Sequence, residues 1–186
     1  MKKISCLVIV LFLFGCATSN PVTSKKSDTL KLSGWEKTNK TVYINVQKTN
    51  IVDTEGFSYS LYQSFSKNKI KTASKRSEAD YILDVTVLYF NFANTALLNN
   101  KELLSSGYLG LVSADEDNVR VHSRDSKEFI AVVDVQIKEN VASKQSAYTT
   151  RIVATSQPLE ELKSVVTNDV RGKVAEDIAS IFGDFN

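Results

Sequence analysis

Residues 81–92, YILDVTVLYFNF, are apolar on both of the faces that a strand presents. The two-residue repeat puts Tyr81, Leu83, Val85 and Val87 on one face and Ile82, Leu88, Phe90 and Phe92 on the other. Such a strand has no side to turn to water, so it belongs inside a sheet and needs neighbours. One neighbour comes earlier, in TVYINVQ (Thr41 to Gln47), where Val42, Ile44 and Val46 alternate with Tyr43 and Asn45. Between the two, Asp53-Thr54-Glu55 reads as a helix start, followed by Phe57, Leu61, Phe65 and Ile70 at helical spacing. The stripe of Phe57, Tyr62 and Phe65 could be drawn as a ligand platform, but this spacing reads as core packing. Strand, helix, strand in this order predicts a βαβ unit with a right-handed crossover.

Two further runs, FIAVVDVQIK (Phe129 to Lys138) and AYTTRIVAT (Ala147 to Thr155), flank the polar ENVASKQS and predict an antiparallel hairpin. The chain closes with Pro158 to Phe182, where Leu159, Leu162, Val166, Val170, Val174, Ile178 and Ile181 recur at three- and four-residue steps. Pro158 suits a first helical turn, and Glu160 and Glu161 suit its positive dipole end. Gly172 within it costs up to about 1 kcal/mol relative to alanine, so either the helix bends there or another backbone comes close. The expected fold class is α+β. The βαβ unit and the hairpin make an approximately four-stranded mixed sheet, with two long helices packed on one face.

Residues 93–128 interrupt this pattern as an excursion too long for a plain connection. Its first half carries Leu97, Leu98, Leu103, Leu104, Tyr108, Leu109 and Leu111, apolar enough for a short helix and turn, and its second half is charged. It either packs on the edge of its own sheet or offers Leu103, Leu104, Tyr108, Leu109 and Leu111 as contacts to lipid or to a partner subunit.

Ahead of the domain, Ile4 to Phe14 is an apolar run of roughly eleven residues, which as a helix would reach about half of a ~30 Å hydrocarbon core. With Lys2 and Lys3 before it and Gly15 after it, the run reads as a cleaved secretory signal, residues 1–15. Leu13-Phe14-Gly15-Cys16 resembles the bacterial lipobox, which implies cleavage before Cys16 and lipidation of that cysteine. More than one acyl chain gives stable anchoring, at about 0.8 kcal/mol per buried CH₂. Ala17 stands where an aspartate commonly marks inner-membrane retention, so by resemblance to sorted lipoproteins the outer membrane is expected. Residues 16–33, rich in Ser, Thr and Lys, read as a flexible tether, and residues 34–186 as one domain.

Removing Lys2 and Lys3 with the signal lowers the formal charge from +2 to zero. A neutral mature chain without a basic patch argues against nucleic acid as a partner. Cys6 leaves with the signal and Cys16 is blocked by lipid, so no disulfide or thiol chemistry is expected. About 170 residues must then fold by burial alone, which suits a domain of that size. His122, the single histidine, lies in a charged stretch and reads as solvated. Asp115-Glu116-Asp117-Asn118 lacks the glycine and distal glutamate of a calcium loop and reads as a solvated turn. No nucleophile elbow or phosphate-binding glycine loop is present, so the chain reads as a non-enzyme without cofactor or metal.

In order along the chain, GWEKTNKTVYINVQKT, EADYILDVTVL, GYLGLV, VVDVQIKEN and YTTRIVAT followed by the terminal helix are similar to the TraT family of plasmid-encoded outer-membrane lipoproteins. The resemblance covers nearly the whole mature chain. It implies a homo-oligomeric, lipid-anchored protein, exposed at the cell surface, that acts in surface exclusion during conjugation or in resistance to complement. Its partners would be the donor cell's mating apparatus or complement components, and Cys16 is the functional residue that carries over. After Gly107-Tyr108 the family continues into a long Gly/Ala-rich membrane region, whereas GYLGLVSADED turns acidic within a few residues and leaves too few apolar positions for a helical span. The alternative function is a periplasm-facing structural or assembly subunit of an envelope complex.

Overall fold

A computed structural model describes residues 22–30, 32, 35, 39–47, 54–94, 127–140, 147–156 and 163–183. Chain order runs β1 (Val22–Lys26), β2 (Thr41–Val46), α1 (Thr54–Lys67), β3 (Lys71–Thr72), a 3-10 turn (Arg76–Glu78), β4 (Tyr81–Asn94), β5 (Lys127–Glu139), β6 (Ala147–Ser156), α2 (Lys163–Ala179) and a final 3-10 turn (Ser180–Phe182). The strands form one mixed sheet in the order β1-β6-β5-β4-β2-β3. β4 pairs in parallel with β2 and antiparallel with β5. The hairpin is β5–β6. The fold is α+β as expected, but the sheet has six strands rather than about four.

Both additional strands are edges. β1 lies within the stretch expected to be a flexible tether, and its register runs from Val22↔Ser156 to Lys26↔Ile152. Its alternation is Val22, Ser24 and Lys26 half-buried against Thr23 and Lys25 exposed. An edge strand needs only backbone partners and one sheltered face, so a Ser/Thr/Lys-rich sequence can supply it, and lysines at edges discourage further pairing. Lys26 locks the strand down: its Nζ donates to the Asp177 carbonyl at 3.0 Å and to Ser180 Oγ at 2.6 Å. Burial lowers the pKa of the Lys26 ammonium, opposed by nearby Asp177 and reinforced by Lys173. β3 is two exposed residues, too short to leave a periodic signal.

One face of the sheet carries both helices. α1 lies over β2 and β3, α2 over β5, β6 and β1, and the helices touch each other. From the sheet, Val42, Leu83, Val85, Val133, Ile137 and Ile152 are fully buried; from the helices, Phe57, Leu61, Phe65, Val170, Val174 and Ile178 meet them. Each such side chain contributes about 1.5–3 kcal/mol. Edge-to-face aromatic contacts pin the layers, with Phe182 5.0 Å from Trp35 and 5.3 Å from Phe65, and Phe90 4.9 Å from Phe57. Tyr62, assigned from sequence to the same stripe, is 41% exposed. It stands one residue beyond Leu61, so its direction swings about 100° off the Phe57-Leu61-Phe65 face.

β4 and the end of α1 both depart from regular geometry. A bulge between Val87 and Tyr89 sets Val87 opposite Val133 and Tyr89 opposite Val132. The extra residue inverts the alternation, so Phe90 joins the helix-side core, not the face of Ile82. Ile70 is buried, but beyond the helix: its N–H reaches the Phe65 carbonyl at 2.9 Å and Lys69 N–H reaches Ser66 at 3.0 Å. This is a Schellman closure, with Ile70 and Phe65 in one cluster and Lys69 at φ 56° in the left-handed region. The long excursion narrows to residues 95–126, because β4 and β5 extend until Asn94 pairs with Lys127. At Gly172 a Cβ would meet nothing within 4 Å, which removes close backbone approach as the reason for that glycine.

Two exchanges follow from these last positions. Gly172→Ala is expected to raise stability by up to about 1 kcal/mol, because an open helical site gains propensity without a clash. Lys69→Gly is expected to raise it by about 1 kcal/mol by relieving a side chain held at positive φ. Urea denaturation of each variant beside the wild type checks both.

Candidate functional site

With both helices on one side, the opposite face of the sheet is free of helices, and its residues come from the alternate positions of β4, β5 and β6. The face divides along the strands. Toward the Asn94–Lys127 end it is apolar: Ile130, Val132 and Val153 are buried, with Leu88 and Tyr89 packed on them. The bulge makes this possible by turning both Leu88 and Tyr89 to the side that a regular strand would give to only one of them.

Toward the other end the face is polar. Asp134 lies directly across from Arg151, and the guanidinium donates from Nε to Oδ1 at 2.5 Å and from Nη2 to Oδ2 at 2.8 Å. On β4, the strand next to that of Asp134, Asp84 accepts from Asn45 Nδ2 at 2.7 Å and from Lys138 Nζ at 3.1 Å. Both are cross-strand pairings, which fix register as well as charge. Between them lies an open cavity of about 420 Å³, bordered by Asp28, Gln47, Thr86, Gln136 and Thr149 beside the paired residues. Thr150 Oγ1 donates to the Asp28 carbonyl at 3.0 Å, which ties the end of β1 to the rim.

Chemically the cavity is a hydrogen-bonding surface. Its two central carboxylates are engaged by cations, and the side-chain amides and hydroxyls around them supply donors and acceptors for a polar partner. Among the described residues no group of three His, Cys, Asp or Glu is arranged to hold a metal ion. Among the described residues, too, no helix is long and apolar enough to cross a membrane.

The residues singled out from sequence fall elsewhere. Cys16, the excursion positions Leu103, Leu104, Tyr108, Leu109 and Leu111, His122 and Asp115 to Asn118 all lie outside the described residues. Conversely, the polar half of the face was missed. Its signal is present in the strands as the two-residue series Asp84-Thr86, Asp134-Gln136-Lys138 and Thr149-Arg151, each giving way to apolar residues farther along the same face. What the sequence does not disclose is that these series share rows of one sheet.

Arg151 is 9% exposed, so removing its carboxylate partner should be felt. Asp134→Ala is expected to destabilise by about 1.5–3 kcal/mol, whereas Asp134→Leu with Arg151→Leu together should recover much of that loss. Urea midpoints of the single and double variants measure the difference.

No family model and no curated protein matches the sequence. Similar solved structures include a DUF330 protein from Xanthomonas campestris, at 7% identity and TM-score 0.49 over 82% of this chain and 88% of that one. A PelC dodecamer from Paraburkholderia phytofirmans matches at 11% identity and TM-score 0.44, over 84% and 97%. The lipoprotein GNA1162 from Neisseria meningitidis matches at 9% identity and TM-score 0.39, over 76% and 99%. These are likenesses of chain path and extend to no activity.

Proposed function

We propose that this chain is a lipid-anchored protein of the bacterial outer membrane that acts by binding or steric blocking, in the manner of the TraT family. Its task would be surface exclusion, the prevention of redundant conjugative transfer, or resistance to complement, performed as a homo-oligomer at the cell surface. The observation that carries the reading is Leu13-Phe14-Gly15-Cys16 at the end of a short apolar run, directly ahead of the folded domain. The polar cavity on the open face supports binding, since the Asp84 and Asp134 carboxylates are tied into cross-strand pairs and Gln47, Gln136, Thr86 and Thr149 supply amides and hydroxyls beside them.

One observation favours a second reading, a periplasm-facing subunit of an envelope complex. The stretch GYLGLVSADED turns acidic where the TraT family enters the membrane, so this chain would be held by lipid alone. Protease treatment of whole cells separates the two: digestion supports surface blocking, and protection supports the periplasmic subunit.

The direct test is the rate at which recipient cells expressing the protein acquire a related conjugative plasmid. A drop of an order of magnitude or more that disappears in Cys16→Ser recipients is the expected result. An unchanged rate, with the protein present in the outer membrane, would overturn surface exclusion.

A further inference from the structure

The register of β1 fixes where the membrane anchor enters the domain. Val22 pairs with Ser156, and Ser156 pairs with Phe129. Phe129 in turn pairs with Phe92. These four residues form one row across the sheet, two rows from the Asn94–Lys127 pair that closes β4 and β5. The N-terminal end of β1, the apolar half of the open face and the strand ends at Asn94 and Lys127 therefore share one pole. In sequence the segment between those two residues opens with Leu97, Leu98, Leu103 and Leu104.

The opposite pole carries Tyr81, Glu139 and the turn at 76–78, tied down by Asn140 Nδ2 donating to the Arg76 carbonyl at 2.9 Å and the Ala79 carbonyl at 2.8 Å. From the Phe129 row to the Glu139 row is ten residues, or about 33 Å of strand. From Cys16 to Val22 is six residues, which reach at most about 20 Å however they run. A pose with the far pole on the bilayer would hold Val22 about 33 Å away, beyond that reach. The short link follows from β1, since an undocked chain as far as residue 33 would permit every orientation.

We propose that the domain stands on a phospholipid surface with the pole bearing Val22, Ser156 and Phe129 toward the bilayer, so that the polar cavity of Asp84, Asp134 and Arg151 is held away from it. The inference rests on lipidation of Cys16. It places the cavity about 15–25 Å farther out than the Phe129 row, where a partner in the aqueous phase can reach it and the membrane cannot.

Fluorophores on introduced cysteines read the orientation, because the mature sequence has no cysteine besides Cys16. Thr23→Cys and Lys25→Cys lie on β1 near the proposed contact, Ser77→Cys lies at the far pole, and all three positions are exposed. The lipidated protein is added to preformed phosphatidylethanolamine/phosphatidylglycerol vesicles containing a lipid with a nitroxide on its headgroup. Quenching at Thr23 is expected to exceed that at Ser77 by about threefold, with Lys25 between them, in keeping with the rise along the strand. Equal quenching at Thr23 and Ser77 means that the domain lies flat, and stronger quenching at Ser77 means that it is inverted; either overturns the orientation while leaving the anchor intact. Failure of the protein to float with the vesicles overturns the anchor reading and the orientation with it.

Discussion

Burial of one sheet face beneath α1 and α2 is the interaction from which the rest of the domain follows. Leu83, Val85, Val133, Ile137 and Ile152 have no exposure, and neither do Phe57, Leu61, Phe65 and Phe182 above them. At about 1.5–3 kcal/mol for each buried side chain, this contact outweighs any single polar interaction in the structure. It also consumes the apolar faces of both helices. What stays open to a partner is the helix-free face, the sheet edges and the outer sides of the helices, where Tyr59, Tyr62 and Val165 are exposed.

The bulge in β4 shapes that remaining face. Without it, strict alternation would send Tyr89 to the helix side and Phe90 to the opposite one. With it, Phe90 stacks edge-on between Phe57 and Phe129, 4.9 and 4.8 Å away, while Leu88 and Tyr89 cover Ile130 and Val132. One extra residue thus completes the core and creates an apolar patch at one end of the open face. The ion pairs of Asp84 and Asp134 lie beyond it and make the other end polar. If Cys16 is acylated, the apolar end is also the end to which the anchor leads, and the two gradients run the same way.

Much of this was legible in the residues. β2, α1, β4 and the β5–β6 hairpin announce themselves through two-residue and helical repeats, and the Val166-Val170-Val174-Ile178 stripe gives α2. What escaped has identifiable causes. β1 is an edge strand whose Ser, Thr and Lys residues carry no hydrophobic period, so VTSKK is indistinguishable from a tether until Ser156 and Ile152 are seen beside it. β3 is too short for any period. The bulge at Leu88 breaks the repeat on which the assignment of Phe90 relied. Ile70 comes five residues after Phe65, about 140° off the helical stripe, and it reaches the core only because the chain has already reversed at Lys69. The polar cavity was hidden for a different reason: it is assembled from β4, β5, β6 and the residues just past β1 and β2, and pairing between distant segments is the one property that a local reading does not contain.

The account hinges on the anchor, since cell location, orientation and access to the cavity all depend on Cys16. The most direct measurement is mass spectrometry of the N-terminal peptide from protein purified out of the membrane fraction. The account predicts a chain that begins at Cys16 and carries a diacylglyceryl group and an amide-linked acyl chain. A peptide that begins at any other residue, or an unmodified Cys16, would contradict it.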